Sequence, residues 1–87
     1  MIQKKIKYIA DHFDEETQQK KLCEEMMELA IADSNANDDM FLDEVADVMI
    51  LIMQRMYQRG VSEDRLEIFM KKKLDRTIHR IKEGYYE

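Results

Sequence analysis

The chain has 87 residues, 38% of them charged, with no proline, two glycines and a net charge of −5. That length supports one small domain and no second core, while so few turn residues exclude a many-stranded sheet, so the expected fold class is all-α. The charge is segregated: residues 1–10 carry +3, residues 11–47 carry −11 and residues 48–87 carry +3, an acidic middle that argues against nucleic-acid binding across the surface.

Ile2, Ile6, Ile9 and Phe13 recur at helical spacing and predict a short amphipathic helix. Lysines interleave with its isoleucines, unlike a signal peptide. Asp14 is placed as an N-cap, with Glu15 and Glu16 in a first turn where the helix dipole favours acids. The second helix is expected over about 15–33, with an apolar stripe of Leu22, Met26, Leu29 and Ala30. It ends in Asp33-Ser34-Asn35-Ala36-Asn37-Asp38, whose side chains compete for backbone hydrogen bonds. Cys23, alone, closes no internal disulfide, and with only His12 and His79 beside it a structural zinc site lacks soft ligands. A reducing cytoplasm is the expected compartment, Cys23 a buried small hydrophobe, and the histidines surface or satisfied groups.

The third helix, about 39–59, is apolar nearly all round from Val45, so it should have neighbours on every side. Its run from Val48 to Met53 is far below the roughly 18 residues of a membrane span. A lone chain of this length cannot surround such a helix, which predicts a homodimer or homotetramer. Gly60 is placed just past its end, and Ser62 with Glu63 and Asp64 opens a fourth helix over about 63–82, closed by Gly84. Its stripe is Leu66, Met70, Leu74, Thr77 and Ile81, with Lys73 inside and Arg76 and Arg80 on the border. Tyr85 and Tyr86 are expected to pack across a subunit interface.

Glu25 and Glu28 lie three apart on the second helix, and Glu44 and Asp47 three apart on the third, so each pair projects from one face. The short loop makes these helices antiparallel, and the pairs are symmetric about position 36, so all four carboxylates can meet at one level. Converging anions in a partly dry site need a counter-charge, and oxygen-only ligation suits Mg²⁺, with Mn²⁺ as a substitute. Glu24 lies about 100° round from Glu25, so it is beyond the ligand shell, at a second ion, or solvated. Lys73, Arg76 and Arg80, and Lys21 one turn before Glu25, are either phosphate ligands or structural ion-pair partners.

Glu24-Glu25-Met26-Met27-Glu28 followed by Glu44-Val45-Ala46-Asp47 resembles the EExxE…ExxD motif of the MazG-like, all-α nucleoside triphosphate pyrophosphohydrolases. The resemblance covers most of the chain, from Lys21-Leu22-Cys23 to Arg76…Arg80-Ile81-Lys82-Glu83-Gly84-Tyr85-Tyr86, and implies a four-helix protomer packed into an oligomeric bundle. It implies Glu25, Glu28, Glu44 and Asp47 as Mg²⁺ ligands and hydrolysis of a nucleotide between its α and β phosphates. A metal-activated water would attack the α-phosphorus, Glu24 would accept its proton, and Lys73 and Arg80 would stabilise the leaving pyrophosphate. The relatives include dUTP and dCTP pyrophosphatases and phosphoribosyl-ATP pyrophosphohydrolase. The last typically carries Tyr-His after ExxD, where Val48-Met49-Ile50 stand here, so the match to it is poorer.

Two other readings compete. Asp33, Asn35, Asn37 and Glu44 occupy positions 1, 3, 5 and 12 of a calcium-binding EF-hand loop, with Met40 at the eighth, but Asp38 replaces the sixth-position glycine. A non-enzymatic helical oligomerisation module would also fit the eight methionines and the apolar third helix. A ferritin-like di-iron site is disfavoured because no Glu-x-x-His occurs.

Overall fold

The computed structural model describes residues 2–84 and contains four helices: α1 (Ile2–His12), α2 (Glu15–Asp33), α3 (Asp38–Gln58) and α4 (Glu63–Lys82). The expected all-α class holds, with no strand among the described residues, and Tyr85 and Tyr86 lie outside them. Each boundary has a local cause. The Asp14 side chain accepts from the Thr17 backbone N–H at 2.7 Å and opens α2. That hydrogen bond also holds the Asp14 carboxyl below its ordinary range. Asn37 Oδ1 accepts from Asp39 and Met40 at the start of α3, and Ser62 Oγ accepts from Arg65 at the start of α4. Gly60 sits at φ 68° between α3 and α4; a Cβ there would meet open space, so backbone angle rather than crowding requires glycine.

α2 and α3 form the hairpin, and α1 packs on α3. Ile6, Ala10, Ala32, Val48 and Leu51 make the buried apolar core. The end of α1 is tied to α3 by polar groups: Gln58 Nε2 donates to the carbonyls of Ala10 and Phe13 at 3.0 and 3.1 Å, filling acceptors that a helix end leaves open. Tyr57 donates to Asp11 at 2.8 Å, and buried Arg55 reaches Glu15 at 3.5 Å and Gln58 Oε1 at 2.8 Å.

Several expectations of burial fail, for one reason: the α2–α3 contact uses the carboxylate face of α2. Leu22 and Leu29 are only half-buried, and Met26 and Ala30 are exposed beside an open groove shared with Phe41 and Val45. Cys23, expected inside, is exposed. Of α3 only one face is covered, through Val48, Leu51, Gln54 and Arg55, while Met49, Ile50 and Ile52 remain exposed. His12 is exposed with its ring edge-on to Phe13, and exposed His79 lies 3.3 Å from Glu83.

α4 stands apart. None of its residues is buried, and Leu66, Phe69, Met70, Leu74, Ile78 and Ile81 are all exposed. The radius of gyration is 16.0 Å, against about 12 Å for a compact chain of this length. The accessible surface is 7487 Å², against roughly 5,400 Å² for a compact protein of this mass. No described helix is long and apolar enough to cross a membrane.

Candidate metal centre

The α2–α3 hairpin turns through residues 34–37, which are held by their own side chains. Ser34 Oγ donates to the Ile31 carbonyl at 2.7 Å, and Asn35 Oδ1 accepts from the Asn37 backbone N–H at 2.9 Å. This geometry removes the calcium loop. Residues 38–44, which an EF-hand would wrap around its ion, are the first two turns of α3, and the Asn35 and Asn37 oxygens are spent on turn and cap.

The tight turn sets the two helices antiparallel in the register that symmetry about position 36 requires. Glu25, Glu28 and Glu44 each place a carboxylate oxygen within 4.8 Å of the others. Asp43, Glu44 and Asp47 form a second group under the same limit, so Glu44 joins the two. All four expected ligands therefore belong to one carboxylate assembly. Asp43 is an addition; its spacing of four from Asp47 puts both on one face of α3, which was the available signal. Glu24 is exposed and outside both groups.

Glu25 and Glu44 sit deepest. Each has an occluded Oε2 without a hydrogen-bond partner. Burial, then the neighbouring charges of Glu28 and Asp47, then the hydrogen bond with Glu44, push the Glu25 carboxyl from 4.5 up to about 7. Glu44 is raised by burial and by Glu28, Asp47 and Asp43, and lowered in part by its hydrogen bond with Glu25. Such a site is a place for a cation: the donors are hard oxygens, two lack partners, and the local charge is too dense to persist alone. The residues present thus fit a divalent metal.

Stability in the absence of metal should report this crowding. Glu25 binds its proton near pH 7 in the folded chain and near 4.5 when ionising freely, so folding is favoured by protonation across that interval. The melting temperature in chelator is expected to fall as pH rises from about 4.5 through 7, and excess Mg²⁺ should remove much of the slope. A melting temperature in chelator that climbs over the same range would contradict the geometry.

The carboxylates lie between two hollows. Glu28, Asp43 and Glu44 open on the loop side to one of about 280 Å³. On the other side Glu25 and Asp47 line a cleft of about 190 Å³ together with Lys21, Gln18 and Gln54. Lys21 is thus at the site, with its ammonium 5.3 Å from the Phe13 ring centroid and no ion pair among the described residues. Lys73 and Arg76 are exposed on α4, and Arg80 is half-buried there; the fold brings α4 to neither α2 nor the carboxylates within one chain. The expected stripe of α4 is exposed, and at its start Leu66 and Phe69 share a hollow with Met56 and Val61.

The helical hairpin with carboxylates paired across it, flanked by a short basic helix, is an all-α site whose donors fit a divalent metal. The chain belongs to the phosphoribosyl-ATP pyrophosphohydrolase family, whose profile matches residues 2–80. This is the relative for which the sequence looked the poorer match, on the absence of Tyr-His after Asp47. No curated protein and no solved structure matches the chain.

Proposed function

We propose that the chain hydrolyses the anhydride between the α and β phosphates of a nucleoside or deoxynucleoside triphosphate, with Mg²⁺ as the metal. The observation that carries this reading is the carboxylate assembly of Glu25, Glu28, Glu44 and Asp47 with its two unpartnered oxygens. These four would hold the ion, which when bound supplies charge neutralisation for the phosphates and acidity for water. Water oxygen bonds to the α-phosphorus, the bridging P–O bond breaks, and its electron pair leaves on pyrophosphate. The water proton passes to a carboxylate outside the four ligands. Asp43 lies within reach of Glu44 and Asp47, whereas Glu24 does not belong to either group, so Asp43 takes this role in preference to Glu24. Lys21 stands where it can orient an anion in the cleft.

The family match supports phosphoribosyl-ATP as a second candidate substrate, since it carries the same triphosphate. Val48, where that relative carries tyrosine, is buried in the core.

The test is purified protein incubated with Mg²⁺ and a panel of NTPs, dNTPs and phosphoribosyl-ATP, with products resolved by chromatography. Monophosphate and pyrophosphate from at least one of them is expected. Absence of both products from the whole panel would overturn the reading.

Lys73, Arg76 and Arg80 enter through association. The enzyme works as a homodimer or homotetramer in which α4 lies against a second copy, and only there can its cations meet phosphates. The surface in excess of a compact chain supports this, being about 2,000 Å² per protomer.

A further inference from the structure

Gln18 and Gln54 are the most deeply buried polar side chains outside the carboxylate centre, at 1% and 3% exposure. They meet across α2 and α3 through one hydrogen bond, Gln18 Nε2 donating to Gln54 Oε1 at 2.6 Å. One bond does not satisfy two amides. Each primary amide offers a carbonyl acceptor and two N–H donors, so Gln18 Oε1 and the Gln54 NH₂ group are left over. Turning both amides over only exchanges which residue presents the free carbonyl and which the free NH₂. The occluded unpartnered atoms are Glu25 Oε2 and Glu44 Oε2, and the leftover amide groups are not among them, so the pair is not sealed in a dry core.

Their position shows what they face. Both line the 190 Å³ cleft whose other end carries Glu25 and Asp47, and Ile9, Phe13 and Ile50 form its apolar walls. Gln18 precedes Glu25 by seven residues and Gln54 follows Asp47 by seven, so the amides lie about 10 Å along the hairpin from the carboxylates. That is the scale on which a ribose separates a metal-held α-phosphate from the hydrogen-bonding edge of its base. A free acceptor beside a free donor, between apolar walls, matches the paired donor and acceptor on the edge of a nucleobase ring.

We infer that the Gln18–Gln54 pair is the nucleobase-reading element of the cleft, holding the ring edge by one accepted and one donated hydrogen bond. This rests on the proposed nucleotide reading and names the part of the site that selects among nucleotides.

The test separates the two. In Mg²⁺, the full chain is titrated by calorimetry with nucleoside 5′-monophosphates and with ribose 5-phosphate, which lacks a base. At least one monophosphate should bind about tenfold tighter than ribose 5-phosphate, and Gln18→Leu and Gln54→Leu should remove that advantage while leaving ribose 5-phosphate affinity unchanged. Gln54→Glu keeps the size and the bond to Gln18 but replaces the free donor with an acceptor, so it should reorder the monophosphates. This keeps the question open to test if a leucine variant does not fold. Equal affinity for monophosphates and ribose 5-phosphate in the unmodified chain would overturn the assignment, as would equal weakening of both by Gln54→Glu. Failure of hydrolysis with a surviving base preference would count against the reaction alone; hydrolysis without any base preference would count against the pocket alone.

Discussion

Glu28→Ala and Asp47→Ala are each expected to lower kcat/KM for the nucleotide by about a thousandfold, the scale of losing several kcal/mol of metal-centred charge stabilisation. The two residues lie on different helices and in different carboxylate groups, yet both groups share Glu44. Loss of either should therefore damage the same centre. Both side chains are exposed, so their removal leaves the core of Ile6, Ala10, Ala32, Val48 and Leu51 untouched and the variants should fold. Asp33→Ala is the control: Asp33 ends α2 outside both groups, and its variant should keep full activity. Retained turnover in Asp47→Ala would falsify the assignment of the centre. A calcium-dependent loss in Asp33→Ala would instead revive the loop that the start of α3 excludes.

The second large effect concerns α4. Light scattering after size exclusion should give at least twice the 10.5 kDa of one chain. Leu74→Asp or Met70→Asp should shift the protein towards the single-chain mass and lower its melting temperature. Each fully buried Leu or Met contributes roughly 1.5–3 kcal/mol, and seven large apolar side chains are exposed on this helix. Their burial together with the bare side of α3 would make an interface of the size that stable complexes use, about 1,600 Å² in total. A stable single chain in the unmodified protein would rule out the assembly and with it any part for Lys73, Arg76 and Arg80 at the phosphates.

How far these features can be read from sequence depends on the kind of signal each residue carries. The paired carboxylates were legible because charge is conspicuous on an apolar helix and a short loop converts spacing into register. Gln18 and Gln54 obey the same symmetry about position 36, but an amide bears no charge, so their pairing is not conspicuous. Asp43 was hidden beside Glu44, since adjacent acids on a helix ordinarily point apart. Arg55 carries no signal in the sequence that it is buried; Glu15 and Gln58 hold it at the base of α1. The four helices were visible from their caps and periods. What periodicity could not supply was the covering of each stripe: it marked Met26 and the α4 residues as apolar, and Cys23 as core, without knowing that the hairpin turns its acids inward.

The turn at residues 34–37 has a consequence of its own. With Ser34, Asn35 and Asn37 each committed to a backbone group, it works as a gauge that sets which rungs of the two helices stand opposite each other. The Glu28–Glu44, Glu25–Asp47 and Gln18–Gln54 rungs all depend on that one setting. A residue inserted between Asn37 and Glu44 would rotate everything after it by about 100° relative to the cap, sending the α3 carboxylates and Gln54 off together. Variation among relatives that preserve this chemistry should therefore gather at the ends of the hairpin, in α1 and α4, and leave the spacing between Gln18 and Gln54 intact.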